Sequence, residues 1–429
     1  MKKVSITLLM CILNLATIGQ VTDAINQCGV EGDAKFIRQY TTLPGYHLLY
    51  FTDNSSFWNG YVGISDCYNY ILFSKLVNNA SVKDIEIFGN TAYFCGQTAS
   101  NEAFMGWFDV YDLASGSGAS PQIDYSFHSV SGLTSIDNIV VYDDGSGNHI
   151  VAGYCTDGSR NYAIRYDVAT STYDMFVLDH KPTDVALTNS YIVYATINVI
   201  SGNEIILHRI TKSAVSHYYY TFLTGSVYSV DPLGDVRIVH TYNDCVATLS
   251  YKYEGGIYRM ALRNYDFSTS PVSTNDCFDV MLPYSINPIR DFRYNASLDV
   301  YTVLHRYEVS PAIYRDAVTK IDFSSGTPVS AQSEYFDVSD PVFNSLSLSD
   351  SSMYTVFGNY YMHRLAFWKY TQTPLGKLHC LKPLSLPIES ENCSIFNFAP
   401  GSVVDQWSGV LSAPVTYDPI SATIINICR

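Results

Sequence analysis

The chain repeats one short pattern five times, an aspartate followed by alternating apolar residues. The pattern occurs at Asp84, Asp137, Asp184, Asp235 and Asp291, so that successive copies lie about 50 residues apart. Alternation with a period of two is typical of a β-strand that is half-buried. A strand pattern that recurs at this spacing predicts a β-propeller, because one four-stranded blade takes about 40–50 residues.

Two further units extend the series. One begins near Phe36, and the other begins near Phe343, where Asn344 stands in place of the aspartate. The sequence therefore predicts an all-β fold of seven four-stranded blades, with six or eight as alternatives if a terminal unit is miscounted. The third strand of one unit is expected at Trp107–Asp112. Almost no helix is expected, because no segment has a sustained apolar period of 3.6 residues.

The two ends of the chain differ from the repeats. Residues 1–24 have the plan of a secretory signal peptide, with two lysines before an apolar run that is shorter than the roughly 20 residues of a membrane span. We expect residues 25–380 to form the propeller. Residues 381–429 are interrupted by prolines and are expected to pack on it as a C-terminal extension. The mature protein is then secreted or held at the cell surface, without membrane insertion.

The cysteines suggest disulfides in an exported chain, without fixing their pairing. Cys95 and Cys155 lie inside apolar strand patterns, which predicts buried thiols. Cys28 and Cys380 lie at the two ends of the propeller, so a disulfide between them could close the ring. Either residues 25–33 or residues 376–383 could supply the outer strand of the last blade.

The unit at residues 82–113 resembles the LVIVD-type repeats of exported bacterial surface proteins. It reads as an Asp-led apolar strand at Asp84, a Gly-Asn turn, an Ala-Tyr strand and a strand that ends in an aliphatic-Asp pair. The unit at 135–170 is also similar, and the units at 182–200 and 289–323 are so to a lesser degree. The resemblance implies a propeller and an exported bacterial origin, and it implies no catalytic residues.

The recurring aspartates are the main candidates for a binding site. The first strand of each propeller blade lines the central channel, so these side chains would form a partial ring at one mouth. Such a ring could hold Ca²⁺ through oxygen ligands or could meet a polyhydroxy ligand. The structural alternative is that each aspartate accepts hydrogen bonds from nearby backbone. The candidate ligand-binding residues are Asp84, Asp137, Asp184, Asp235, Asp291 and Asn344.

Basic residues accompany the aspartates, and they either neutralise the ring or help to bind an anionic sugar. They are Arg38, Lys83, Lys181, Arg237, Arg290 and Arg293. The chain as a whole has a net charge of −15, which argues against nucleic acid as a partner because phosphates would be repelled. No histidine motif with zinc spacing and no Gly-x-Ser-x-Gly motif occurs.

These observations favour a non-catalytic binding protein that recognises a glycan, a peptide or a protein through the loops at one mouth of the channel. No cofactor is predicted apart from Ca²⁺ at the acidic ring. One alternative is a secreted carbohydrate-active enzyme that uses two channel-mouth aspartates, since such pairs are set by spatial position. A structural component of a cell-surface assembly is the other alternative.

Overall fold

The computed structural model describes most residues between 32 and 383. The segments outside this description are 1–31, 54–55, 67–71, 116–124, 199–203, 213–219, 224–235, 255–256, 270–271, 283–284, 311–312, 323–329, 337–341, 351–352, 361–363, 373–374 and 384–429. The predicted signal peptide, most of the C-terminal extension and Cys28 therefore lie outside the described residues, and these expectations stay predictions.

The described chain forms seven antiparallel sheets, each with four strands that are consecutive in sequence. The strands of blades 1 to 3 are β1 (Asp33–Gln39), β2 (His47–Asp53), β3 (Ser56–Ser65), β4 (Leu72–Val77), β5 (Ala80–Phe88), β6 (Thr91–Thr98), β7 (Ala103–Asp109), β8 (Tyr125–Val130), β9 (Ser135–Asp143), β10 (His149–Thr156), β11 (Asn161–Asp167) and β12 (Thr172–Leu178).

Blades 4 to 7 follow the same plan. Their strands are β13 (Lys181–Leu187), β14 (Tyr191–Asn198), β15 (Glu204–Thr211), β16 (Tyr220–Leu223), β17 (Arg237–His240), β18 (Cys245–Glu254), β19 (Ile257–Asp266), β20 (Ser273–Leu282), β21 (Ser285–Asn295), β22 (Val300–Ser310), β23 (Ile313–Asp322), β24 (Ser330–Phe336), β25 (Val342–Asp350), β26 (Met353–Tyr360), β27 (Arg364–Gln372) and β28 (Leu375–Pro383).

The seven sheets are the blades of a β-propeller. Within every blade the strands lie in sequence order, each antiparallel to the one before. The first strands of consecutive blades contact one another around the molecule, including β25 with β1. The first strand of each blade is therefore the innermost strand. The prediction of an all-β propeller with seven four-stranded blades is confirmed.

An apolar cluster fills each of the seven interfaces between neighbouring blades of the described chain. At the interface of blades 4 and 5, for example, Leu207 packs with Val246 and Phe267. The other interfaces have clusters of the same kind. The core is thus a ring of apolar layers, because each blade has two apolar faces and hides both against its neighbours.

Among the described strands, blade 7 joins blade 1 without exchanging a strand. The outer strand of blade 7 is β28, which agrees with the second of the two alternatives raised by the sequence and begins one residue earlier, at Leu375. This interface has the smallest apolar cluster among the described residues, with Phe51 and Phe357 as members. Polar contacts supplement it. The Asn359 side chain hydrogen-bonds to the Ala34 N–H at 3.1 Å, and the Asn344 side chain donates to the Ala34 carbonyl at 2.7 Å.

One predicted strand ends earlier in the structure than the sequence indicates. The strand predicted at Trp107–Asp112 stops at Asp109, and a one-and-a-half-turn helix, α1 (Val110–Ser115), follows it. The Asp109 carboxylate accepts the Tyr111 N–H at 2.8 Å, which turns the chain out of the sheet. Val110 and Leu113, two apolar residues of this helix, pack into the apolar cluster between blades 1 and 2.

Two further expectations concern the thiols and the membrane. Cys95 and Cys155 are buried free thiols, as predicted. In the described part of the chain no helix has both the length and the apolar character needed to cross a membrane.

Three buried histidines of the described chain make the fold sensitive to acid, and burial lowers the pKa of one of them, His47, to about 3. His208 hydrogen-bonds to Thr196 and His305 to Thr319, each at 2.9 Å, and burial lowers the pKa of each of these two to about 4. Below pH 6.5, which is about the ordinary pKa of histidine, these imidazoles become protonated in the unfolded chain but stay neutral in the folded protein. The stabilising contribution is therefore complete above pH 6.5 and is lost progressively as the pH falls towards 4.

We predict that lowering the pH from 7 to 5 reduces the free energy of unfolding by about 1 to 2 kcal/mol for each of these histidines. Urea denaturation at a series of pH values measures this loss. The double variant His208→Gln/His305→Gln should be less stable at pH 7 but should lose less stability on acidification. An acid sensitivity equal to that of the unaltered protein would contradict the assignment.

Candidate functional site: the central channel

Most innermost strands carry an extra residue near their start. In six blades the pairing with the second strand skips one residue, which makes a β-bulge. The skipped residues are Lys35, Lys83, Asp137, Thr183, Arg290 and Asn344. In blade 2 the bulge faces Gly96, where a Cβ would lie 2.0 Å from the Ser81 carbonyl oxygen, so the close approach of the two strands requires glycine.

The residue directly after the bulge is an aspartate in three blades. Asp84 accepts the Ile85 N–H of its own strand at 2.8 Å with one oxygen and the Ile139 N–H of the next blade at 3.0 Å with the other. An innermost strand is a sheet edge, so some of its N–H groups have no partner strand. We call this place the bridging position, because its carboxylate joins the edges of two blades.

Asp184 and Asp291 repeat this geometry. Asp184 accepts the Val185 N–H at 3.0 Å and, from blade 5, the Ile238 N–H at 2.9 Å. Asp291 accepts the Phe292 N–H at 2.9 Å. From blade 7 it accepts the Leu346 N–H at 2.8 Å. The bridging aspartates thus link blades 2 to 3, 4 to 5 and 6 to 7.

The aspartates that the sequence treats as equivalent occupy two different registers. Asp137 and Asn344 are bulge residues, one position before the bridging position, and Asp235 lies outside the described residues. The residues at the bridging position, from blade 1 to blade 7, are Phe36, Asp84, Asn138, Asp184, Arg237, Asp291 and Ser345. The channel therefore has carboxylates at this level on alternate blades, and the members of the partial ring expected from the sequence do not all lie at the same level.

The three bridging carboxylates differ in their surroundings. Burial raises the pKa of Asp84, although the Arg38 guanidinium acts against it. Burial also raises the pKa of Asp184, more than Arg237 and the backbone donors lower it. For Asp291 the same burial cost is outweighed by two arginines and by donors of blade 7, and its pKa lies below the ordinary value.

Blade 1 has no aspartate at the bridging position, and its Arg38 contacts the neighbouring blades. Its buried guanidinium donates to Asp84 and Glu86 of blade 2, each at 2.8 Å. It also donates to the Ser345 hydroxyl of blade 7 at 3.4 Å. Blade 1 has Phe36 at the bridging position, and Arg38 is a side chain of this blade that makes polar contacts with both of its neighbours.

The innermost strands enclose a cavity of about 610 Å³ on the axis of the propeller. Asp84, Asp137, Asp184, Asp291 and Asn344 all line it, so the structure brings together every described residue of the predicted site. The remaining predicted residue, Asp235, is outside the described part.

Two residues after the bridging position along each innermost strand, the side chains that line the cavity are of two kinds. Blades 1, 2 and 6 place charged residues at this level, whereas blades 3, 4 and 5 place aliphatic ones. The charged residues are Arg38, Glu86 and Arg293, and the aliphatic residues are Val140, Ala186 and Val239. The aliphatic wall was missed from the sequence, although its signal was present as small apolar residues at the alternate positions of the opening strands.

The described carboxylates do not suggest a cation site. No group of three His, Cys, Asp or Glu side chains that could hold a metal ion occurs among the residues that the structure describes. Both oxygens of each bridging aspartate already accept N–H groups of the backbone. These three aspartates therefore fit the alternative in which each carboxylate accepts hydrogen bonds from nearby backbone.

Comparison with known proteins identifies the fold and goes no further. No protein-family model matches the chain, and no curated protein matches it. Among solved structures, a puromycin hydrolase is 9% identical with a TM-score of 0.51, covering 85% of this chain and 56% of that chain. The β-propeller domain of the Trilobed protease from Pyrococcus furiosus is 8% identical with a TM-score of 0.49, covering 86% of this chain and 99% of that one. AztD from Citrobacter koseri is 11% identical with a TM-score of 0.44, covering 82% and 88%.

We predict that Asp184→Asn destabilises the protein by about 1 to 3 kcal/mol, because one of two oxygens that face N–H donors becomes an N–H₂ group. Asp137→Asn is the matched control, since Asp137 is half-buried and its described hydrogen bond comes from the Ser135 hydroxyl. The control should change stability by less than about 0.5 kcal/mol. Equilibrium urea unfolding compares the two, and equal effects would contradict the bridging role.

Removing Arg38 should be more costly. Arg38→Met leaves the buried Asp84 and the partly buried Glu86 without their guanidinium partner, which we expect to cost about 3 to 5 kcal/mol. Arg165→Met is the control. Arg165 pairs at 3.8 Å with Asp174, whose side chain is 56% exposed, and donates to the Tyr142 hydroxyl at 3.1 Å; pairs of this exposed kind contribute at most about 1 kcal/mol. The midpoint of denaturant unfolding measures both, and a similar shift in the two variants would show that Arg38 does not close the ring.

Proposed function

We propose that this protein is an exported, non-catalytic binding protein that takes its ligand into one mouth of the central channel. The observation that carries the proposal is the cavity of about 610 Å³ on the propeller axis, with its charged and aliphatic walls. Pockets for small ligands and peptide segments commonly enclose about 300 to 1,000 Å³. Export rests on the signal-peptide pattern of residues 1–24.

The arrangement of carboxylates favours binding over catalysis. A glycosidase needs two carboxyl groups that are free to act as acid, base or nucleophile on the same bond. In the described channel, Asp84, Asp184 and Asp291 each accept backbone N–H groups from two blades. Their oxygens are therefore occupied by the fold, and the alternative of a paired-aspartate enzyme is not favoured.

A binding screen tests the proposal. The purified protein is applied to glycan and peptide arrays beside Val140→Trp, which fills the aliphatic wall of the cavity. The control is Met175→Trp on the outer strand of the same blade, where Met175 is 41% exposed. We expect at least one ligand class to be retained by the unaltered protein and by the control, and to be lost from the channel variant.

Two results would contradict the proposal. Ligands that bind all three proteins equally would place recognition outside the channel, and an array without any binding would favour the role in a surface assembly. Turnover of a polysaccharide panel, measured as new reducing ends and abolished by Asp137→Asn, would instead favour the enzyme.

A further inference from the structure

Two exposed lysines at the channel mouth have no use in the fold that the structure describes. Lys83 is the bulge residue of β5, and Lys181 opens β13; both line the cavity and both are exposed. Neither lysine side chain has an ion pair or a hydrogen bond among the described residues. We propose that they bind the carboxylates of an acidic peptide segment that also carries aliphatic side chains, an inference that rests on the proposed binding function.

The balance of charge around the cavity supports an anionic ligand. Four of the five acidic residues of the lining already have strong partners, and the fifth, Asp137, accepts the Ser135 hydroxyl. Arg38 binds Asp84 and Glu86, Arg293 lies 3.0 Å from Asp291, and Asp184 receives backbone donors. The lining has six basic residues against five acidic ones, and neither lysine is paired with a carboxylate among the described residues. They stand out in a chain whose net charge is −15, so an anion is attracted at this place more than at the surface in general.

The positions of the basic residues are ordered around the axis. Lys83, Lys181 and Arg290 lie on blades 2, 4 and 6, the same alternate blades that carry the bridging aspartates. Arg290 donates to the Asn344 side chain at 2.8 Å and is directed towards blade 7, so the two lysines are the more available pair. A ligand on the axis could approach both of them, because they are two blades apart.

The aliphatic wall favours a peptide over a glycan. Val140, Leu187 and Val239 line the cavity below the mouth, where they could pack against aliphatic side chains. Sugar rings instead stack on exposed aromatic faces. Of the aromatic residues in the described lining, Tyr154 and Phe292 are buried, and Phe36 lies under the Arg38 guanidinium, 5.4 Å from its ring centre.

Peptide display provides the first test. Random heptapeptides are selected on the immobilised full-length protein and on the charge-reversed variant Lys83→Glu/Lys181→Glu. We expect the unaltered protein to enrich peptides with two or more acidic residues beside aliphatic ones, and the variant to enrich basic peptides instead. Selected peptides of the same charge on both proteins would overturn the inference.

Affinity measurements provide the second test, with a fluorescein-labelled acidic peptide from the selection as the probe. Lys83→Gln/Lys181→Gln should weaken binding by about tenfold or more in fluorescence polarisation, and added salt should weaken binding to the unaltered protein. Lys35→Gln is the matched control, because Lys35 is the bulge residue of blade 1 and is not part of the cavity lining. The control should retain its affinity within about twofold.

An oligogalacturonate in the same assay separates this inference from the proposed function. If the acidic sugar binds in a manner that depends on the two lysines and the acidic peptides do not, the peptide assignment is wrong while channel binding stands. If neutral peptides bind as tightly as acidic ones and the lysine variants are unaffected, the lysine assignment is wrong and channel binding again stands.

Discussion

A carboxylate that accepts N–H groups from two neighbouring blades is the interaction on which the ring depends. The innermost strand of every blade is a sheet edge, and its unpaired N–H groups would otherwise face the channel. Asp84, Asp184 and Asp291 each accept one such group from their own blade and one from the next. The same side chains hold the channel in shape, which ties the stability of the ring to the geometry of the candidate site.

Seven is an odd number, and the alternation of the bridging aspartates leaves one blade without a partner. Three aspartates join six blades in pairs. Blade 1 is joined by Arg38, which contacts blades 2 and 7, and by the hydrogen bonds of Asn344 and Asn359 to Ala34. Blade 1 also borders the smallest apolar cluster of the described ring. Closure therefore relies there on buried polar contacts, whose loss is costly because each leaves a charge or a donor without water.

The spacing of the aspartates was enough to predict the fold and the blade count, because hydrophobic alternation and repeat length are local properties. The register was not predictable. The Ile-Asp pair at Asp137 looks like the pattern at Asp84, yet a bulge moves Asp137 one position away and leaves Asn138 at the bridging position. The helix after Asp109 and the role of Arg38 likewise depend on contacts between segments far apart in sequence.

Amide hydrogen exchange at single-residue resolution tests the bridging interaction most directly. The account predicts that the Ile238 N–H, on the channel edge of blade 5, exchanges as slowly as amides in the middle of the sheets, because Asp184 holds it from the neighbouring blade at 2.9 Å. In Asp184→Asn this protection should fall, while that of Ile139, held by Asp84, should persist. Rapid exchange of Ile238 in the unaltered protein would contradict the account.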